Sequence, residues 1–259
     1  MAKHQHIQLN KGLGQHFLKD SEVLYKIYRL IEDQVDELPL LEVGPGAGAL
    51  SAYLKSRDKY KLVEFDKRFA EYLAIEFPEL KGKILNEDFL LLDLNGIFDE
   101  AFAIVGNFPY NISSQIIFKA LDYKEQVPLL IGMFQKEVAR RICAKEGSKE
   151  YGIISVLTQV FYDTEYLFDV PREAFNPPPK VVSGVMLMRR KKKDYSLNPS
   201  FFKAVVKTAF GQRRKTLRNS LKSFLKTEEL RDLDIFEQRP EQLSVAAFVN
   251  LSNILEQAQ

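Results

Sequence analysis

Cysteine occurs once in this chain, at Cys143, and tryptophan does not occur at all. One thiol excludes an intrachain disulfide and any metal site built from several cysteines. A lone cysteine inside a charged helical stretch is expected to serve packing. Histidine is nearly as scarce: two of the three stand at positions 4 and 6 and the third is His16, so no metal centre is expected. No apolar run approaches the ~18 residues that a membrane-spanning helix requires. The opening Met-Ala-Lys-His-Gln-His carries no apolar signal segment, so a cytoplasmic protein without membrane attachment is expected. No G-K-[S/T] follows the glycine-rich loop, which argues against a nucleotide triphosphate cradle. What remains is ordinary: 259 residues with an apolar fraction of 46% suit one large domain, or one large and one small.

Charge is balanced overall and unbalanced along the chain. From Arg190 onward there are 14 basic and 8 acidic residues, whereas the whole chain nets only +2. Tyr195 to Thr227 holds eight basic residues and no acidic one. That asymmetry fits a polyanion partner for the C-terminal part, with a solvated helical surface as the alternative. The charge run Arg189-Arg-Lys-Lys-Lys-Asp marks a boundary, giving an α/β domain over 1–190 and a small all-helical domain over 191–259.

Residues 7–18 hold two glycines and mixed polarity, and read as an irregular arm. Asp20 is a plausible cap for a helix through Val23, Leu24, Ile27, Leu30 and Ile31. A strand then enters the loop Gly44-Pro-Gly-Ala-Gly, and a helix follows through Leu50, Tyr53 and Leu54. Glycines let the backbone pass close to a ligand, and a loop feeding a helix offers unpaired N–H groups. Glu42, just ahead of the glycines, repels a pyrophosphate but suits a cation. Glu64 ends the next strand, 20 residues beyond Gly44, the spacing of a carboxylate that grips a ribose diol. Residues 84–90 read as a third strand and its exit. There Asp88 can bond a purine amino group while Phe89 covers its face.

Phe102 to Gly106 is a fourth apolar strand, running into Asn107-Phe108-Pro109-Tyr110. An amide and a neighbouring carbonyl accept hydrogen bonds from an amino group, and the Tyr ring stacks on a plane. A proline turn after a strand, with Tyr110 in the core, is the alternative. Four strand ends thus carry Glu42 with the glycines, Glu64, Asp88 and Asn107. A parallel sheet brings them to one crevice. The crevice is acidic and lacks phosphate-binding groups, which suits S-adenosylmethionine better than NAD or ATP.

Later, residues 129–134 form a fifth strand, 136–144 a short charged helix, 151–160 an apolar stretch of helical look with a buried strand as alternative, and 161–170 a strand. Pro177, Pro178 and Pro179 stiffen a loop that can hold Phe175 above the site, opposite Tyr110. Val181 to Met188 returns as a strand. Asn198-Pro199-Ser200 opens a helix through Phe210, and Gln212 to Leu221 reads as a basic helix whose Arg213, Arg214, Lys215 and Arg218 can meet phosphates.

Gly14-Gln-His-Phe-Leu, Glu42-Val-Gly-Pro-Gly-Ala-Gly, Val63-Glu-Phe-Asp, Glu87-Asp-Phe, Asn107-Phe-Pro-Tyr, Phe134-Gln-Lys-Glu-Val, Phe175-Asn-Pro-Pro-Pro-Lys-Val and Phe210-Gly-Gln-Arg-Arg-Lys-Thr-Leu-Arg-Asn stand nearly end to end. In these motifs the chain resembles the ribosomal RNA adenine N6-dimethyltransferases of the KsgA type, whose relatives are the Erm resistance methyltransferases. The last two motifs favour the former. Position 108 is Phe where Leu is commonest in the family, a change expected to alter packing only.

The resemblance implies a Rossmann-like class I S-adenosylmethionine-dependent methyltransferase, with a seven-stranded mostly parallel sheet and a helical C-terminal domain that binds RNA. It implies two methyl groups added to each of two adjacent adenines in the 3′-terminal hairpin loop of 16S rRNA, in the small ribosomal subunit or an assembly intermediate. Carried over, Gln15, His16 and Leu18 line the cofactor entrance. Gly44 and Gly46 pass under the methionine part, with Glu42 behind them. Glu64 and its neighbour Phe65 hold the ribose end, and Asp88 and Phe89 the adenine. Asn107 is the catalytic residue nearest the cofactor, with the Pro109 carbonyl as second acceptor. Tyr110 and Phe175 enclose the target base. A monomer is the default expectation. An Erm-like or DNA adenine-N6 methyltransferase is the enzyme alternative, and a non-catalytic RNA-binding assembly factor the other; a nicotinamide oxidoreductase fits poorly.

Overall fold

The computed structural model describes residues 16–192 and 194–259. In chain order, β1 (Phe17–Leu18) leads to α1 (Ser21–Val35), β2 (Leu40–Val43), α2 (Ser51–Leu54), β3 (Tyr60–Val63), α3 (Lys67–Glu76), β4 (Ile84–Leu85), β5 (Ala103–Asn107), α4 (Ser113–Asp122), β6 (Leu129–Gln135) and α5 (Lys136–Cys143). Then come α6 (Ile153–Gln159), β7 (Tyr162–Val170), β8 (Phe175–Asn176), β9 (Ser183–Arg190), α7 (Pro199–Gly211), α8 (Leu217–Ser220), α9 (Glu228–Arg231) and α10 (Val245–Gln257).

Seven strands form one sheet in the order β4–β3–β2–β5–β6–β9–β7. The first five in that order are parallel, and β9 is antiparallel to β6. This is the seven-stranded, mostly parallel sheet that the resemblance implies. β2, β5 and β6 are apolar almost without interruption and buried along their length. Parallel strands covered on both faces require that composition. Register aligns Val43 with Val63, Val63 with Leu85, and Glu42 with Val105, so the carboxyl ends of β2, β3, β4 and β5 fall on one edge.

Local signals act as expected at several points. Asp20 caps α1, accepting from the Glu22 and Val23 amides at 3.0 and 3.1 Å, and Leu24, Ile27, Ile31 and Val35 are buried. Asn198 caps α7 with Pro199 in its first turn.

Other elements differ. Of the short strand and exit expected over 84–90, the strand is confined to Ile84–Leu85, and in the exit the Asp88 carboxylate closes a turn on the Leu90 amide at 2.8 Å. The helix expected over 212–221 is a turn through Lys215 followed by the four-residue α8. Leu217, fully buried, takes its amide bond from the Gln238 carbonyl at 2.8 Å, and that tertiary tie starts the chain afresh there.

Close packing divides the chain into two compact units. One comprises the residues up to Ala139 with Glu165–Arg190; the other comprises Arg140–Thr164 with Lys191–Gln259. Residues 140–164 therefore join the C-terminal helices, whereas the charge run alone assigned them to the first domain. Within that helical unit Tyr151 packs edge-on against Phe210, which stacks on Phe248 at 5.7 Å. The Gly147 amide donates to the Glu241 carbonyl at 2.7 Å.

Candidate active site

The carboxyl edge of the sheet opens on a cavity of about 280 Å³. Its walls come from β1, the β2–α2 glycine loop, the end of β3, residues 87–90 and the stretch from Gly106 to Ile112. The four predicted strand ends do converge on it: Glu42, Gly44, Gly46, Glu64, Phe65, Asp88, Phe89 and Asn107 all line this space, with His16 and Leu18. Gln15 lies outside the described residues.

Gly44, Gly46 and Gly48 have φ of 67°, 54° and 79°, a region that other residues rarely enter. A Cβ on Gly46 would also stand 2.8 Å from the Phe17 ring. The three glycine amides of the loop are engaged within the protein. The amides of Gly44, Gly46 and Gly48 are taken by the Val63 carbonyl, the Glu64 carboxylate and the Pro45 carbonyl. With its glycine donors used internally, the loop serves at those positions as a close-approach surface.

Acidity comes from three carboxyls in different states. Glu64 accepts from the amides of Gly46 (3.0 Å) and Asp66 (2.8 Å), each on a different oxygen. Burial pushes its pKa up, against the backbone bonds from Asp66, Gly46 and Phe65. A carboxylate has about four acceptor sites, so capacity remains for a diol. Glu42 is 2% exposed, and one of its oxygens accepts from Ser51 Oγ at 2.8 Å and from the Tyr60 hydroxyl. Burial pushes the Glu42 carboxyl up to about 7, with both hydroxyls and then Glu64 as smaller influences. Near neutrality it is thus divided between a neutral and a charged form. Asp88 faces the cavity beside Phe89, over whose ring Lys119 Nζ sits 5.5 Å from the centroid. Phe65 is 61% exposed at the rim.

At the end of β5 the Asn107 amide nitrogen donates to the His16 carbonyl at 3.1 Å. That bond orients the side chain and leaves its oxygen with no partner among the described residues. The Pro109 carbonyl, the expected second acceptor, already accepts the Ile112 amide at 3.2 Å as α4 begins. None of the described residues donates to the Phe108 carbonyl, one peptide away. The Tyr110 hydroxyl bonds Ser183 Oγ, and the His16 ring stacks on Tyr110 with centroids 5.7 Å apart and planes at 29°. His16 is held in turn by its Nδ1 contact with the Pro177 carbonyl at 3.0 Å.

Phe175 occupies a different place from the expected one. It is 1% exposed, packs in the main core and does not line the cavity. The cause is a two-residue ladder: β8 pairs antiparallel with β1, Leu18 opposite Phe175, and the Lys19 amide donates to the Ala174 carbonyl. This ladder, missed from sequence, also brings His16 over Tyr110. The lining residues Phe17, Leu24, Ile27, Leu50, Leu90 and Asn111 were missed too. Their apolar spacing marked most of them as core, and a cavity wall of an apolar ligand site carries the same signal.

The basic residues belong to the helical unit. Arg214 and Lys215 are exposed. Arg213 donates to the Ser148 carbonyl at 3.2 Å and lies 3.9 Å from Glu241, and Arg218 pairs with Glu237. Among the described residues no helix is long and apolar enough to cross a membrane, and no cluster of side chains could hold a metal ion.

Comparison with known proteins narrows these observations. The Ribosomal RNA adenine dimethylase family matches residues 6–257. A Flavobacterium johnsoniae protein, Ribosomal RNA small subunit methyltransferase A, is 52% identical, covering 96% of this chain and 97% of its own. The protein of that name from Parabacteroides distasonis is 51% identical over 96% of this chain and 94% of its own. Among solved structures, the 23S rRNA methyltransferase ErmE superposes with a TM-score of 0.67 at 26% identity, covering 93% of this chain and all of its own. A Plasmodium falciparum dimethyladenosine transferase shares the fold at a TM-score of 0.78 and 24% identity, over 94% of this chain and 98% of its own.

Proposed function

Because the chain belongs to the ribosomal RNA adenine dimethylase family, we propose that it transfers methyl groups from S-adenosyl-L-methionine to N6 of two adjacent adenines in the 3′-terminal hairpin loop of 16S rRNA. It does so as a cytoplasmic monomer, on the small subunit or an assembly intermediate. One observation carries the chemistry: Asn107, with an oriented amide oxygen, and Phe108, with a carbonyl to which no described residue donates, line one cavity with an anchored tyrosine ring.

The residues present fit the cofactor. An acidic wall suits a sulfonium and an ammonium, close-approach glycines admit the chain between them, and Glu64 offers acceptors to a ribose. Asp88 and Phe89 take the cofactor's adenine, and Phe65 covers the rim. The cofactor, when bound, supplies a methyl group already activated for transfer. What the protein must do is hold N6 in line and favour positive charge on it. An adenine amine is a weak nucleophile because its lone pair is delocalised into the ring. Asn107 Oδ1 and the Phe108 carbonyl each accept one N6 hydrogen, which draws electron density onto the nitrogen. Tyr110, fixed by Ser183, stacks on the base with the face that His16 leaves open. No carboxylate stands in the motif as a base, so N6 releases its proton to solvent after transfer.

A monomethylated N6 keeps one hydrogen and uses one of the two acceptors, so the second transfer needs only a rotated base. An unpaired loop adenine costs least to bring into the pocket. Arg214 and Lys215 contact RNA phosphates in the C-terminal helical domain, and Arg213 and Arg218 hold the turns that present them. Mass mapping of methylated adenines on assembly-stage small subunits tests the reading. Labelled cofactor with small subunits should give two adjacent dimethyladenines; label on naked 23S rRNA or DNA instead would replace this function with another.

A further inference from the structure

Phe108 lies in the middle of the acceptor pair yet contributes its side chain to neither. Its ring is 1% exposed and stacks edge-on against Phe134, centroids 5.0 Å apart at 60°. It also packs against Gly132 of the next strand. A Cβ built on Gly132 would stand 1.9 Å from one ring atom and 2.6 and 2.7 Å from two others. A Cβ on Gly106, the register partner of Gly132, would stand 3.1 Å from the same ring. No real side chain tolerates the first of these distances. The ring therefore fills the recess that a glycine leaves in the face of β6.

The backbone at 108 is pinned to the same strand, its amide donating to the Met133 carbonyl at 3.2 Å. Ring and amide thus hold a single residue against β6 at two points. The peptide on one side of it carries the Asn107 side chain, and the peptide on the other carries the unengaged carbonyl. A ring in a close-packed interior transmits a displacement rather than absorbing it.

We propose that Phe108 and Gly132 form a matched pair that sets the position of both N6 acceptors, making Phe108 a positioning residue of the methyl-transfer step. The proposal rests on the function proposed above. The expectation that a Phe at 108 affects packing alone is thereby extended: the packing reaches the chemistry through one peptide on each side.

The test uses the full chain with G132A, F108L and the double variant. Single-turnover methyl transfer to small subunits at saturating cofactor is read beside cofactor Kd by calorimetry and folded fraction by circular dichroism. G132A should slow transfer by about ten- to a hundredfold while cofactor Kd stays within about threefold, the signature of misplaced groups rather than a lost pocket. F108L, which vacates the recess and folds without any clash, should slow transfer less. The double variant refills the recess from the other strand and should transfer faster than G132A. A double variant no faster than G132A, or losses that merely track the folded fraction, overturns the proposal. A wild type that methylates no adenine on small subunits removes the function reading, and that result is separate from a failed rescue in an active enzyme.

Discussion

Replacing Asn107 with Ala separates chemistry from binding, and the separation follows from where its two polar atoms go. The nitrogen is spent on the His16 carbonyl at 3.1 Å, and the oxygen has no partner among the described residues. Losing the first is the loss of one neutral, partly buried hydrogen bond, about 1 kcal/mol of stability. Losing the second removes a preorganised dipole at the atom where charge develops, about 10²–10³ in turnover or ~3–4 kcal/mol of barrier. Asn107→Ala should therefore unfold only a few degrees early, bind S-adenosylmethionine within about fivefold of wild type, and lose at least about a hundredfold in single-turnover transfer. The assay is label transfer to small subunits with enzyme in excess, with calorimetry for the cofactor. Turnover within about threefold of wild type would show that no N6 hydrogen meets the Asn107 oxygen, and would refute the mechanism.

Glu42 predicts a pH dependence of stability. Its folded pKa of about 7 is raised from 4.5, so the folded state binds the proton more tightly than the unfolded chain. The carboxyl thus favours folding below pH ~4.5, and that contribution is lost as pH rises through about 7, on the order of 3 kcal/mol in all. Glu42→Gln should raise the midpoint of thermal unfolding relative to wild type more at pH 8 than at pH 5, and an equal shift at both would disprove the assignment. Arg214→Ala with Lys215→Ala should weaken RNA binding and lower the slope of log K against log salt by about 1.4–1.8, whereas an unchanged slope in titrations would move the phosphate contacts elsewhere. Phe175→Ala should cost about 3–5 kcal/mol by chemical denaturation, as a buried core ring, with transfer per folded molecule retained. A selective loss of transfer in a stably folded variant would instead return Phe175 to the base pocket.

Much of the site was legible because a parallel sheet translates sequence position into spatial position. Each apolar run ends at the same edge, so the residue after each run belongs to the site. Glu42, Glu64, Asp88 and Asn107 could be assembled on that rule alone, and their charge and hydrogen-bonding capacity pointed to a cationic adenosine without phosphates. Caps were equally local: Asp20 and Asn198 bond amides within three residues of themselves.

What escaped is what depends on partners distant in the chain. Phe17–Leu18 and Phe175–Asn176 form a ladder of two residues, too short for any alternation to show, across more than 150 residues of sequence. That ladder, with the bonds of His16 to Pro177 and Asn107, accounts for a buried Phe175 and a His16 that lies on Tyr110. Residues 140–164 carry helical and strand signals of their own, and contacts distant in sequence, such as Tyr151 against Phe210 and Gly147 against Glu241, assign them to the helical unit. Asn107 was readable as an amide facing an amino group, but which of its atoms remained free was decided by the His16 carbonyl. That the Pro109 carbonyl already accepts the Ile112 amide, whereas no described residue donates to the Phe108 carbonyl, follows from the first turn of α4. Apolar pattern and residue chemistry act over a few neighbours and so are written in the sequence. Which carbonyl is already occupied is a property of the assembled backbone, and only the tertiary structure settles it.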